Sequence, residues 1–335
     1  MKAIKLGRPA NLAALAIADL DDPGAPGAGE IRVRLHANSL NYHDYAVAIG
    51  AIPTANGRIP LSDGAGVVEA VGEGVTALAV GDAVVSCFFP YWQDGTEPHG
   101  NFSHVPGDGL DGYAREAVVT PAHWFTRAPK GWSHVEAATL PCAALTAWRA
   151  LVVDGKLKAG DSVLVLGTGG VAIFALQIAK AMGAKVAITS SSDAKLERAT
   201  AMGADFSVNY KSDPEWGRTV RNWTDKRGVD HVLEIGGPGT LAQSIVAARI
   251  GGHISMIGIL TGIKGEVPTL AMMAKQIRLN GIIVGNRQHQ LDMIRGFEAT
   301  GVRPVIDKTF ALDQLADAFR YEEQAGHFGK ICVGI

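Results

Sequence analysis

Six short apolar runs between residues 162 and 285, each followed by a helical or turn-rich stretch, constrain this chain more than any other feature. They are SVLVLG from Ser162, KVAITS from Lys185, FSVN from Phe206, HVLEIG from His231, HISMIGI from His253 and GIIVG from Gly281. The intervening segments, such as VAIFALQIAKAMGA and GTLAQSIVAARI, read as helices. Strands this uniformly apolar are buried on both faces. The pattern therefore predicts an α/β fold with a doubly wound parallel sheet over residues 128–287.

Residues before 128 have a different rhythm. MKAIKLG, GEIRVRLHANSLN, GAGVVEAVGEGV, VGDAVVSCFF and DGYAREAVVT are short apolar or alternating runs bounded by Gly, Pro, Asp and Asn. They predict a compact β-rich domain. After residue 287 come two amphipathic helices, LDMIRGFEATG and LDQLADAFRYEEQ, and a last strand, KICVGI, which resembles the first segment. The expected division is thus 1–127 with 288–335, and 128–287. The stretch FPYWQDGTEPHGNFSHVPGDGLDG has no period, and loops of that length are usually functional.

Lys and Arg number 31 against 33 Asp and Glu, a net charge of −2, which argues against a dedicated nucleic-acid binder. A 47% hydrophobic and 19% charged composition excludes intrinsic disorder. Cys87, Cys142 and Cys332 are too few and too scattered for a disulfide framework or a four-cysteine zinc knot. No apolar window is long enough to span a bilayer and MKAIKLGRPA has no signal-peptide core, so the expectation is a soluble, cytoplasmic protein with no membrane partner.

The first apolar strand runs into Gly167-Thr168-Gly169-Gly170-Val171-Ala172 and then a helix. In this G-x-G-x-x-A spacing, Gly167 permits a tight turn, Gly169 lets the backbone approach a pyrophosphate, and Ala172 keeps the helix close to the sheet. Phosphate charge then meets free N–H groups at the positive end of the helix. A bound dinucleotide is expected. The second strand ends Thr189-Ser190-Ser191-Ser192, with no carboxylate before Asp193 and with Lys195 following. Hydroxyls and a lysine accept a 2′-phosphate that a carboxylate would repel, which favours NADP(H) over NAD(H). The alternative is that Ser190 and Ser191 only cap the helix DAKLERATAMG.

NSLNYHDYAVAIG, PLSDGAGVVEAVGEGV, DGYAREAVVT, AATLPCAALTAW, GTGGVAIFALQIAK and HFGKICV occur in an order that resembles the medium-chain dehydrogenase/reductases over nearly the whole chain. The resemblance implies a GroES-like catalytic domain built from both chain ends around a Rossmann domain. It implies that Lys195 and Tyr210 flank the adenosine 2′-phosphate of NADPH. Thr146, Val284-Gly285-Asn286 and Phe328-Gly329-Lys330 would lie near the nicotinamide, unless Thr146 merely starts a helix and Lys330 is an ordinary strand-edge charge. It also implies dimers through the sixth Rossmann strand, whose apolar edge invites a twin.

The family's catalytic zinc ligands are Cys, His and Cys, and the matching positions here are Asn41, Ser62 and Cys142. An amide and a hydroxyl replace two ligands of a kind zinc requires, so no metal is expected, and Cys142 reads as a small buried residue. His43, Asp44, Asp63, His99 and His104 are the alternative candidates for a metal. Among zinc-free members the chain resembles the quinone oxidoreductase-like branch, whose Asn-x-x-Asp stands at Asn41–Asp44.

Without zinc, an acceptor that spreads the arriving charge itself is favoured: a quinone or an α,β-unsaturated carbonyl. Asn41 is expected to hold the nicotinamide ribose, Tyr42 and His43 to donate a hydrogen bond or proton, and Asp44 to orient the loop. The alternative for Tyr42 and His43 is that they simply line the domain junction. Phe88, Phe89, Tyr91, Trp92 and Phe102 either line a pocket for a moderately large acceptor or pack their loop onto its own domain. Two other functions fit the same residues: a zinc-free dehydrogenase of secondary or activated alcohols, and an NADPH-binding protein with little turnover, like the lens crystallins of this family.

Overall fold

The computed structural model describes residues 1–96 and 102–335. Its strands are β1 (Lys2–Leu6), β2 (Leu15–Asp19), β3 (Glu30–Ser39), β4 (Asp63–Val71), β5 (Ala83–Ser86), β6 (Ala117–Pro121), β7 (Phe125–Arg127) and β8 (Ser162–Leu166). There follow β9 (Lys185–Ser190), β10 (Phe206–Asn209), β11 (Val229–Glu234), β12 (Ala248–Met256), β13 (Arg278–Gly281), β14 (Ile306–Ala311) and β15 (Lys330–Gly334). No helix among the described residues is long and apolar enough to cross a membrane.

The chain forms two compact units, Met1–Leu145 with Val284–Ile335, and Thr146–Ile283. The first contains a sheet ordered β14-β15-β3-β4-β5-β7, with β6 also on β3 and a separate β1-β2 pair. In β3 the residues Ile31, Val33 and Leu35 turn into the core while Arg32 and Arg34 do not, the alternation that a half-buried strand requires. Its first half pairs with β6 and its last three residues with β15, which delivers Leu40 and Asn41 beside Lys330. The unit extends to Leu145, beyond the expected residue 127. Segment 128–145 stays with it because the helix His134–Ala137 packs on β3, β4 and β5.

The second unit is a parallel sheet ordered β10-β9-β8-β11-β12-β13. Every residue of β8 and β11 is buried, so both faces are covered. The order reverses direction between β8 and β11, and such sheets bind ligands at the carboxyl ends of the strands flanking that reversal.

One strand departs from expectation. The sixth is Arg278–Gly281, RLNG, and not GIIVG from Gly281. Ile282 still donates its N–H to the Met256 carbonyl, but Val284 takes φ 47°, which ends the extended backbone. Ile282 and Val284 are apolar because they are buried, whereas the edge strand itself is half exposed and polar.

Candidate active site

In the second unit, β8 passes through Gly167 into the helix Gly170–Ala181. Gly167 has φ 77°, and nothing lies within 4 Å of where a Cβ would stand. Its N–H bonds to Thr189 O at 2.9 Å, which ties the turn to the end of β9. Gly169 caps the helix with no side-chain hydrogen bond, so the N–H groups of the first turn are not taken by a capping side chain. Thr168 and Ala172 are buried, and Gly170 and Val171 open the helix. The residues fit a dinucleotide pyrophosphate: a positive-φ glycine, open space above it and a bare helix start.

Ser190 ends β9 and is buried, and Tyr210 donates its backbone N–H to Ser190 O at 3.1 Å. Ser192, and neither Ser190 nor Ser191, caps the helix Asp193–Ala201, by accepting from the Lys195 N–H. The carboxyl ends of β9 and β10 therefore bring Ser190, Ser191 and the exposed Tyr210 together, with Lys195 on the first turn of the next helix. Thr146 is buried in the short helix Leu145–Trp148.

The first unit holds a dense polar cluster. Asn41 precedes the helix Tyr42–Ala48, and Asp44 reaches back to the Asn41 N–H at 3.1 Å. The Asn41 amide nitrogen donates to Asp63 Oδ2 at 2.9 Å and to Asp44 Oδ2 at 3.1 Å. Its Oδ1 accepts from Lys330 Nζ at 2.6 Å, and Lys330 also donates to the Leu40 carbonyl. Ser62 donates its N–H to Asp44 Oδ1 at 2.8 Å. Asn41, Asp44, Ser62, Asp63 and Lys330 are all buried. Leu61, just before them, has φ 75°, a conformation that costs about 1–3 kcal/mol in a bulky residue and clusters at functional sites.

Burial pushes the Asp63 carboxyl up to about 7, against the opposing charge of Lys330. Burial likewise drives the Cys142 thiol well above its ordinary value. His43 lies between two carboxylates, with Nε2 3.3 Å from Asp108 and Nδ1 3.8 Å from Asp44. Burial alone would lower its pKa, but hydrogen bonding to Asp108 and Asp44 outweighs that and raises it to about 9. Tyr42 is 51% exposed.

Asn286 caps the helix Arg287–Thr300 by accepting from the His289 N–H, Gly285 packs close to Leu145 and His289, Val284 is strained and buried, and Phe328 is buried. Phe88 and Trp92 are buried in the first unit and stack edge-on through Phe89, while Tyr91 is 57% exposed. His99 and the Phe102 side chain lie outside the described residues. His104 is exposed beside Tyr91, and no group of three His, Cys, Asp or Glu among the described residues is arranged to hold a metal. The sequence reading missed Asp108 as the partner of His43, and Glu322, whose carboxyl burial pushes up to about 7. Neither sits in a motif; only the fold brings them in.

Residues 27–130 match the family model of the alcohol dehydrogenase GroES-like domain, and residues 170–298 that of zinc-binding dehydrogenases. A zinc-type alcohol dehydrogenase-like protein of Schizosaccharomyces pombe is 43% identical over 92% of this chain and 91% of its own length. A putative alcohol dehydrogenase from Sinorhizobium meliloti 1021 is 41% identical and superposes with a TM-score of 0.92, covering 100% of this chain and 99% of its own. A structure described as an NAD-dependent alcohol dehydrogenase is 33% identical, with a TM-score of 0.91 and full coverage of both chains. Together with the glycine turn heading a six-stranded parallel sheet, these likenesses make the chain a member of the medium-chain dehydrogenase/reductase superfamily and an NAD(P)(H)-dependent oxidoreductase.

Proposed function

We propose that this enzyme is a zinc-independent, NADP(H)-dependent reductase of quinones or α,β-unsaturated carbonyls. The observation that carries the reading is the state of the zinc-ligand positions. The Asn41 amide is spent on Asp63, Asp44 and Lys330, Ser62 offers a hydroxyl, and only Cys142 is of a type that zinc favours. Zinc sites are built from thiolate, imidazole and carboxylate, and an ammonium bonded to one of the three positions opposes a dication. This donor set does not fit zinc. Without a Lewis acid, an acceptor that delocalises its own developing charge is the easier one.

NADP(H), when bound, supplies or accepts the hydride. The cradle at Gly167–Val171 binds its pyrophosphate, and Ser190, Ser191, Lys195 and Tyr210 receive the 2′-phosphate; the absence of a carboxylate at the end of β9 supports this choice. The strained Val284, with Gly285, is assigned to the nicotinamide end. His43, kept cationic by Asp108, stabilises negative charge arriving on the acceptor oxygen and supplies the proton. The edge position of β13, followed by the exposed Ile283, and the exposed apolar side chains Ile263, Leu270 and Met273 of the same unit support a homodimer.

Alcohol oxidation is the second reading, favoured by the names that the similar proteins carry. NADPH oxidation with a panel of quinones and enones, run against NADP reduction with secondary alcohols, separates the two. Turnover confined to alcohols would refute the first reading.

A further inference from the structure

We infer that Lys330 is a positioning residue whose buried ammonium, bonded to Asn41 at one of the three zinc-ligand positions, fixes the orientation of the Asn41 amide and gathers Asp44 and Asp63 around it. The inference deepens the zinc-independent reading and rests on it for its zinc-content and kinetic arms, while the melting arm stands without it.

Three segments of the first unit converge here: the turn before the helix Tyr42–Ala48, the start of β4, and β15. The register of β15 on β3 and the bond from the Leu40 N–H to Ile331 O at 3.0 Å place the Lys330 side chain against Leu40 and Asn41. Gly329 makes the approach possible. Its φ is 85°, and a Cβ there would stand 2.3 Å from the Val305 carbonyl.

An asparagine amide presents an acceptor on one side and a donor on the other, and nothing in its shape says which way it lies. A lysine ammonium can only donate, and a carboxylate can only accept. With Lys330 on Oδ1 at 2.6 Å and Asp63 and Asp44 on Nδ2 at 2.9 and 3.1 Å, a single orientation satisfies every group. Two carboxylates bonded to one amide nitrogen repel each other strongly in a buried site unless a cation stands close. Lys330 supplies that cation, bonded to the oxygen of the same amide at 2.6 Å. Through Asp44, which also bonds the Ser62 N–H and lies 3.8 Å from His43, the same cation settles the loop that carries the proposed proton donor.

The test uses the full chain in its wild-type form and as Lys330→Met, Lys330→Arg, Asn41→Ala and the Lys330→Met/Asn41→Ala double variant. Should Lys330→Met fail to fold, Lys330→Gln, which keeps a donor without the charge, replaces it. Zinc content after dialysis against a chelator, read by elemental mass spectrometry, is expected at trace level in the wild type; one zinc per chain overturns the inference. Thermal unfolding reads the contact without substrate. The double variant is expected to melt no lower than the weaker single variant, whereas additive losses overturn the inference.

With NADPH and an acceptor, Lys330→Met is expected to lower kcat about tenfold or more, with NADPH Kd changed by less than about twofold and most of kcat restored in Lys330→Arg. An unchanged kcat, a loss carried only by NADPH affinity, or no rescue by arginine overturns it. If the wild type turns over no acceptor, the reading of the reaction fails, and melting still decides the role of Lys330.

Discussion

Replacing Asp108 with asparagine keeps the shape of the side chain 3.3 Å from His43 Nε2 and removes its charge. Both side chains are close to nine-tenths buried, at 13% and 10% exposure, so solvent screens the pair only weakly. At about 1.4 kcal/mol per pH unit, a histidine raised from 6.5 to about 9 adds about 3 kcal/mol to folding stability. Asp44 retains part of that, so the variant is expected to lose about 1–2 kcal/mol.

The sign is set by the direction of the shift. The raised pKa stabilises the fold fully below pH 6.5, and the contribution disappears as the pH climbs through about 9. The difference between wild type and Asp108→Asn should therefore be largest at pH 6, shrink across that window and vanish above it. Urea unfolding at pH 6, 7.5 and 9.5 reads this directly. Asp63 and Glu322, both raised to about 7, titrate in both proteins and cancel in the difference. A gap that is constant with pH, or that widens toward 9.5, would refute the assignment of a charged His43.

Other outcomes follow from the two units separately. Lys195→Ala should weaken NADPH binding about tenfold or more and leave NADH binding nearly unchanged, measured by fluorescence titration; equal losses for both would remove the 2′-phosphate assignment. Leu270→Asp places a charge among the exposed apolar side chains of the unit that has β13 at its edge, where Leu270 is 73% exposed in the single chain. Sedimentation velocity is expected to show the proposed dimer for the wild type and a monomer for the variant, with little change in the melting of the monomer, and an unchanged sedimentation coefficient would count against that edge as the interface.

Most of the fold could be read from residue order because the strongest local signals are also its structural ones. The runs SVLVL, KVAITS and FSVN are β8, β9 and β10, and the final KICVG is β15, which rejoins β3 as its resemblance to the opening segment suggested. The glycine turn was legible for the same reason: Gly167, with φ 77°, answers a local backbone demand. Where apolar character and ladder position part, the reading slipped. GIIVG is apolar for burial, and the polar RLNG before it forms the edge strand β13. β2 and β14 are exposed or half-buried at every residue except Phe310 and left no alternation to find.

The sequence by itself determined a parallel sheet headed by a glycine turn, because these are properties of residue type and short spacing; that Asn41 and Ser62 stand at two of the zinc-ligand positions is what the resemblance to the family implies. Tertiary structure alone decided what stands against Asn41 and His43. Lys330 lies 289 positions from Asn41, and Asp108 lies 65 from His43. No periodicity reaches across such separations; only the closing of β15 onto β3, and of residues 105–112 onto the segment Ile59–Leu61 ahead of β4, sets an ammonium against Asn41 and a carboxylate against His43.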